Sequence, residues 1–288
     1  MTTIYLDYNV ISTIGGIPQA ADASEQRNRV LELKNLGFQF SLSAWHMYEL
    51  ARSNNSQHIE QCCDFVEQLE PLWISNNTAV KRQEVDRYLQ PVFHAVGPVR
   101  SRTIEPLHES VADMWASYGG EGSRDETFRA SVHALRQKPE YLETVRQAAA
   151  LTPSAIAAGR DAYRAGLLKS LDSMVDRAYF LNLVPEKTPH EQIEYLVQTT
   201  KNILAECPAI AVEEALTQLR LRDSFKPEAG DAADLQHAIT PLAYCEYFVT
   251  GDKALHGHCL TAVTRAKVSC KVRKSVWEIK RDEGVVNS

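Results

Sequence analysis

The stretch TIYLDYN at residues 3–9 is a short apolar, β-branched run that ends at an acidic residue. Runs of this kind are typical of buried strands, so we predict a strand over 3–6 with Asp7 at its carboxyl end. Two similar runs follow, FQFSL at 38–42 and LWIS at 72–75. Helical patterns separate them and give the order β-α-β-α-α-β. This alternation favours a parallel sheet covered by helices.

The middle of the chain has a different pattern. From residue 78 to residue 225 we find helical periodicity punctuated by prolines, and we predict no strand there. The strand-helix alternation then returns. The predicted elements are a helix opening at Asp231, strands EYFVT at 246–250 and KVSCKV at 267–272, and a closing helix SVWEIKRDE at 275–283. The sequence therefore predicts a discontinuous α/β domain, residues 1–77 and 226–288, with an all-helical insertion at 78–225.

Composition sets broad limits on the class of protein. The chain has 288 residues, of which 44% are hydrophobic and 24% charged, as expected for a globular protein with a well-buried core. It has no apolar run of about 18 residues, the length needed to span a bilayer. The start, MTTIYLDYN, is predicted to be a strand and not a signal peptide. We therefore expect a cytoplasmic protein with no membrane partner.

Charge and cysteine content exclude some kinds of site. A net charge of −6 argues against a general nucleic-acid coat, because phosphate binding depends on Lys and Arg. It does not argue against a metal-dependent nuclease, since a bound cation reverses the local charge. None of the six cysteines forms a CxxC pair, so zinc and disulfide frameworks are not expected. Adjacent Cys62 and Cys63 lie in an apolar stripe and are predicted to be core-facing or half-buried thiols.

Several acidic residues lie where a parallel sheet would bring them together. Asp7 and Asp252 follow predicted strand ends, Glu49 lies on the helix after the second strand, and Asp234 lies in the first turn of the helix before YFVT. Ligands of open α/β sheets bind beyond the carboxyl ends of the strands. Clustered carboxylates repel one another, and a hard divalent cation relieves that repulsion. Asp231 is either a further ligand or only a helix cap.

Four segments, in this order and strand context, together resemble the signature segments of PIN-domain ribonucleases. They are YLDYN at 5–9, SAWHMYEL at 43–50, DAADLQHA at 231–238 and YFVTGDKAL at 247–255. The similarity is nearest to the toxin ribonucleases of toxin–antitoxin pairs and covers about residues 1–75 and 226–280. The insertion at 78–225 departs from the family, whose typical members are about half as long.

The resemblance implies a fold, a site and an activity. The fold would be a PIN-like three-layer α/β/α arrangement with a central parallel sheet. The family's metal-binding, catalytic acids fall on Asp7, Glu49, Asp234 and Asp252, with Asn9 and Thr250 in supporting positions. The implied activity is a Mg²⁺- or Mn²⁺-dependent endoribonuclease that hydrolyses RNA phosphodiester bonds through a metal-bound water. The substrate would be single-stranded or structured RNA, and the candidate partners are an antitoxin protein and a second copy of the chain.

Two alternatives stay open from the sequence. One is a catalytically silent PIN-fold scaffold that binds RNA or protein, although all four acids are present. The other is a haloacid-dehalogenase-like phosphatase, which also places an aspartate after its first strand. That class needs a second acid two residues on, where this chain has Asn9.

Weaker signals are compatible with a structural role as well as a functional one. His237 lies one helical turn after Asp234 and is expected to be structural, with metal ligation as the alternative. Trp45 and Tyr48 are expected in the core, with base stacking as the alternative. Three arginine pairs are candidate RNA contacts on otherwise solvated faces: Arg100 with Arg102, Arg124 with Arg129, and Arg220 with Arg222.

Overall fold

The protein is an α/β structure centred on a mostly parallel sheet. The computed structural model describes residues 2–16, 22–94, 103–120, 126–144, 147, 190–191, 202–220 and 231–281. Within these ranges six strands form one sheet in the order β4-β3-β2-β1-β5-β6. The strands are β1 Thr3–Leu6, β2 Gln39–Leu42, β3 Leu72–Ile74, β4 Leu107–His108, β5 Tyr247–Val249 and β6 Lys271–Arg273. The first and last parts of the chain therefore share one sheet, as predicted.

Helices occupy the connections between the strands. They are α1 Tyr8–Gly15, α2 Ala23–Asn35, α3 Ala44–Ala51, α4 Ser56–Leu69, α5 Asn77–His94, α6 Val111–Ser117, α7 Phe128–Arg136, α8 Pro208–Arg220, α9 Asp231–Tyr244 and α10 Lys253–Ala266. In the described ranges, no helix combines the length and the apolar character needed to cross a bilayer.

The sheet has a hydrophobic core on each face, because successive strand residues point to opposite sides. Ile4 and Leu6 of β1 pack into one core with residues from α1 to α4, α6 and α7. Tyr5, between them, packs into the other core with residues of α8, α9 and α10. Phe248 of β5 joins Tyr5, and their rings stack with centroids 5.3 Å apart. Helices thus cover both faces, which explains why the central strands are apolar throughout.

Pairing of the two central strands places two predicted site segments side by side. β1 and β5 are parallel, with Leu6 opposite Val249. The backbone N–H of Asp7 donates to the carbonyl of Val249 at 2.9 Å. The residues that follow the two strands therefore lie at the same end of the sheet, the carboxyl end of its parallel strands, as predicted for Asp7 and Asp252.

The prediction of an all-helical insertion at 78–225 is wrong at β4. Leu107 and His108 pair antiparallel with Ile74 and Trp73 and form the edge of the main sheet. Two residues are too few to show strand periodicity, so the sequence carried no signal. Beyond β4, α6 and α7 contribute to the first core and α8 to the second. The helical patterns predicted over 154–182 and most of 188–206 lie outside the described residues.

Two predictions near the end of the chain are corrected. The strand predicted at 267–272 starts later, at Lys271, because α10 runs to Ala266 and ends with Lys267 in the left-handed conformation. Where the closing helix was predicted at 275–283, the described residues up to 281 contain a 3₁₀ turn, Val276–Glu278, and no α-helix. Ser275 caps that turn, and Ile279 has an extended backbone and buries its side chain in the core. Its carbonyl accepts a hydrogen bond from Arg29 at 2.7 Å.

Candidate active site

Asp7 is a buried carboxylate held from three sides. It follows β1, caps α1 and is only 4% exposed. Its Oδ1 accepts from the backbone N–H of Tyr8 at 2.8 Å. Its Oδ2 accepts from the Asn9 amide and the Thr250 hydroxyl, each at 2.8 Å. These donors fix the orientation of the carboxylate beyond the end of the sheet.

Asn9 and Thr250 link Asp7 to the turn that follows β5. The Asn9 amide also donates to the Thr250 hydroxyl oxygen at 3.2 Å, and its carbonyl accepts from the Gly251 N–H at 3.1 Å. The Thr250 hydroxyl oxygen further accepts from the Asp252 N–H at 3.1 Å. Both residues were predicted to support the site, and the structure places both in contact with Asp7.

Asp252 lies at the open side of this turn. It is exposed and caps α10, with its Oδ1 accepting from the Leu255 N–H at 2.7 Å. A cap of this kind explains why an acidic residue suits the start of a helix. Its second oxygen has no bond in the cap and is the atom that could bind a cation.

Asp234 comes from the start of α9 and is half-buried. Burial, together with the charges of Asp7 and Asp252, raises its pKa to about 7, against His237 and Arg220, which lower it. Arg220, at the end of α8, is 5% exposed. Asp7 and Asp252 therefore lie close enough to Asp234 for their charges to disfavour its ionised form.

Glu49 reaches the site from α3. Its Oε2 is 3.1 Å from Nε2 of His237, and its side chain is 22% exposed. Burial raises the pKa of Asp7, and the charge of Glu49 raises it too, while His237 and the Thr250 hydroxyl lower it. All four predicted acids thus act on the same region at the carboxyl ends of β1 and β5.

His237 is buried and links the carboxylate of Glu49 to Tyr5 in the core. It is 1% exposed, and its Nδ1 is 2.5 Å from the Tyr5 hydroxyl. Burial by itself lowers its pKa, but the hydrogen bond and charge of Glu49, with the charges of Asp7 and Asp234, raise it above its ordinary value. From the sequence a structural role was expected for His237, with metal ligation as the alternative. Its spacing from Asp234 was the available signal, because residues three apart share a helix face.

The remaining predicted residues fall outside the acidic group or cannot be placed in it. Asp231 is the first residue of α9, and its side chain lies outside the described residues. Tyr48 is buried and donates its hydroxyl to the carbonyl of Leu142 at 3.0 Å, so its predicted core role is confirmed. The Trp45 ring is half-buried and lies 6.5 Å from the His237 ring.

The two arginines of the predicted pairs that the structure describes both lie beside carboxylates of the protein. Arg129 donates to three carboxylates of α4, those of Glu60, Asp64 and Glu67. Arg220 is buried beside Asp234. Arg100, Arg102, Arg124 and Arg222 lie outside the described residues. All six cysteines are buried free thiols, which confirms the core placement of Cys62 and Cys63.

The donor atoms of the site are suited to a hard cation, but the side chains do not form a closed cage. In the ranges that the structure describes, no three His, Cys, Asp or Glu side chains are grouped so that they could hold a metal ion. Mg²⁺ commonly takes one or two carboxylates directly and keeps several waters. An ion of this kind needs only one or two of the carboxylates of Asp7, Asp234 and Asp252 as direct ligands.

Comparisons of the chain with protein-family models, with curated proteins and with solved structures found no match. The assignment of a function therefore depends on the geometry and charge of the site itself.

Proposed function

We propose that this protein is a divalent-metal-dependent endoribonuclease of the PIN type. The observation that carries the proposal is the convergence of acids from opposite ends of the chain. Asp7 and Asp252 leave the parallel strands β1 and β5 at one edge of the sheet. Asp234 is close enough to both for their charges to raise its pKa. Glu49 adds a fourth carboxylate.

Keeping these carboxylates ionised and close together costs free energy, and a bound cation would offset that cost. Buried or half-buried acids with raised pKa values cluster at functional sites, because a purely structural site would not gain from the repulsion. Mg²⁺ or Mn²⁺ would be held by the carboxylates of Asp7, Asp234 and Asp252, one or two of them directly and the rest through bound water. When bound, such an ion lowers the pKa of an attacking water and offsets charge on the phosphoryl and leaving oxygens.

The residues of the chain would divide the remaining tasks. The donors from Tyr8, Asn9 and Thr250 favour the ionised form of Asp7 against its burial and fix the orientation of its carboxylate, which would then bind the cation. Glu49, 22% exposed, would bind the cation or orient the attacking water and accept its proton. The product would carry a 5′-phosphate and a 3′-hydroxyl, as the resemblance to PIN ribonucleases implies.

The phosphatase alternative fits the geometry less well. That chemistry needs an acid two residues after the first aspartate, as a proton donor. Here the residue is Asn9, and its amide is engaged on both sides, with Asp7 and with the turn at Gly251. RNA as substrate, an antitoxin partner, a homodimer and a cytoplasmic location are proposed on the resemblance to the toxin branch.

Cleavage of RNA by matched variants tests the proposal. Purified protein would be given labelled RNA with Mg²⁺ or Mn²⁺, and the ends of the products analysed. Asp7→Asn should lower the rate by more than about 100-fold, since loss of even a partner of a metal ligand commonly costs 10–100-fold. Asparagine keeps the helix cap of Asp7. Asp113→Asn, an exposed acid on α6 beside the far edge strand, is the control and should retain activity.

Two results would contradict the proposal. One is equal cleavage by the wild type and Asp7→Asn, which would point to a contaminating nuclease. The other is a wild type that neither cleaves RNA nor binds Mn²⁺ at millimolar concentration by calorimetry, which would favour the silent scaffold.

A further inference from the structure

A buried row of hydrogen bonds runs from the core to Glu49. The Tyr5 hydroxyl lies 3.1 Å from the Ser43 hydroxyl and 2.5 Å from Nδ1 of His237. The other ring nitrogen, Nε2, lies 3.1 Å from Oε2 of Glu49. Tyr5 and His237 are shielded from water, with exposed fractions of 0% and 1%. Water is therefore not available to replace the hydrogen bond between the Tyr5 hydroxyl and Nδ1 of His237.

The row fixes which ring nitrogen faces the acid. An ionised carboxylate only accepts hydrogen bonds, so Nε2 of His237 must carry its hydrogen toward Glu49. The Tyr5 hydroxyl can either donate to Nδ1 or accept from it, so it satisfies this nitrogen in both protonation states of the ring. Second partners of this kind set the orientation of an imidazole and of the group it contacts.

These hydrogen bonds also connect three segments of the chain, and each segment contains or directly precedes one of the acids. Tyr5 lies on β1, two residues before Asp7. His237 lies on α9, one helical turn after Asp234. Glu49 itself lies on α3. Movement of β1, α3 or α9 relative to the others would break one of these hydrogen bonds. The bonds therefore help to fix the positions of the acids relative to one another.

We propose that His237 is a positioning residue that holds the Glu49 carboxylate toward Asp7 and Asp234, with Tyr5 fixing the imidazole. The inference rests on the proposed metal-dependent function. Glu49 has a long side chain that, without this bond, could turn into solvent, and glutamate has more rotamer freedom to lose than most residues. His237 would act on the cation only through Glu49.

Mn²⁺ affinity, measured by calorimetry on the full chain, tests the inference without relying on turnover. His237→Phe keeps the volume of the ring but removes both hydrogen bonds. It should weaken Mn²⁺ binding about 10–100-fold, the usual effect of losing a partner of a ligand. His237→Gln, whose amide can still donate to Glu49, should restore part of the affinity.

Coupling between the two residues separates positioning from a general structural effect. If His237 acts through Glu49, the double variant His237→Phe with Glu49→Gln should bind Mn²⁺ no more weakly than Glu49→Gln alone. Independent effects would multiply instead, and that result would overturn the inference.

Milder variants cover the case in which His237→Phe does not fold. Tyr5→Phe removes one oxygen from the core and should weaken Mn²⁺ binding by a smaller factor. Its matched control is Tyr244→Phe. Tyr244 lies on α9, as His237 does, and its hydroxyl donates to Glu84 at 2.6 Å. Equal Mn²⁺ affinity of Tyr5→Phe and Tyr244→Phe would contradict the role of the row.

The outcomes also distinguish this inference from the proposed function. A wild type that binds Mn²⁺ and cleaves RNA, with His237→Phe unchanged in both, would remove only the positioning role. A wild type that does neither would remove both.

Discussion

The Thr250 hydroxyl donates a hydrogen bond to Oδ2 of Asp7 at 2.8 Å, across 243 positions of sequence. Both residues are buried, at 0% and 4% exposure. The bond therefore joins the two ends of the chain inside the site, and it gives Asp7 a donor that water would otherwise supply.

Thr250→Val removes this hydroxyl and keeps the shape of the side chain. We expect the free energy of unfolding to fall by about 1–3 kcal/mol, because a buried, charged acceptor loses a partner. Mn²⁺ binding should weaken as well. Urea unfolding and calorimetry measure the two effects. Thr264→Val, an exposed threonine on α10 that bonds to the carbonyl of Leu260, is the control. Equal behaviour of the two variants would contradict the structural role of Thr250.

Asn9→Asp tests whether the amide is needed beside Asp7. The substitution replaces an N–H donor 2.8 Å from Oδ2 of Asp7 with a second carboxylate. We expect lower stability in the absence of metal, by about 1–3 kcal/mol, because like charges repel and a donor is lost. Thermal unfolding in EDTA measures the change. Asn55→Asp, which keeps an exposed helix cap on α4, should be nearly neutral. Phosphatase activity gained by Asn9→Asp would argue against the nuclease assignment.

Asp234→Asn should stabilise the metal-free protein at neutral and higher pH while abolishing activity. Burial raises the pKa of Asp234 from its ordinary value of 3.8 to about 7. Between these values the folded chain keeps a proton that the unfolded chain has released, so stability falls as pH rises through this window. The variant lacks this loss.

Thermal unfolding in EDTA from pH 4 to pH 8 measures the difference. The advantage of Asp234→Asn over the wild type should grow up to about pH 7 and then level off. Asp113→Asn is the control, since its carboxyl is exposed. Parallel pH profiles of wild type and Asp234→Asn would show that Asp234 is not electrostatically strained.

Arg129→Gln should lower stability and leave RNA binding unchanged. The guanidinium bridges α7 to three acids of α4, with contacts of 2.5 Å to Asp64 and 3.0 Å to Glu67. These groups are partly exposed, so we expect a loss of only about 1 kcal/mol at low salt, and less at high salt. Urea unfolding at two salt concentrations and RNA titration measure both effects. Arg265→Gln, an exposed arginine on α10, is the control for charge. Weaker RNA binding by Arg129→Gln alone would instead support its predicted role as an RNA contact.

The local pattern of apolar and polar residues was sufficient to predict the central strands and the positions of the residues that follow them. The strands β1, β2, β3 and β5 were predicted within about one residue, because short apolar runs bounded by polar residues are typical of buried strands. Pattern failed at β4, which has two residues, and at the closing 3₁₀ turn. In both cases a contact distant in sequence decides the conformation: Trp73 pairs with His108, and Arg29 binds the carbonyl of Ile279.

The sequence by itself determined the α/β alternation, the strand ends and the acidic residues placed there, because each depends on neighbours within a few positions. Only the tertiary structure decided that β1 lies beside β5, that Asp7 bonds to Thr250, and that His237 lies between Tyr5 and Glu49. These contacts depend on strand order and helix packing, which arise from burial of apolar surface across the whole chain and leave no periodic signal in any single segment.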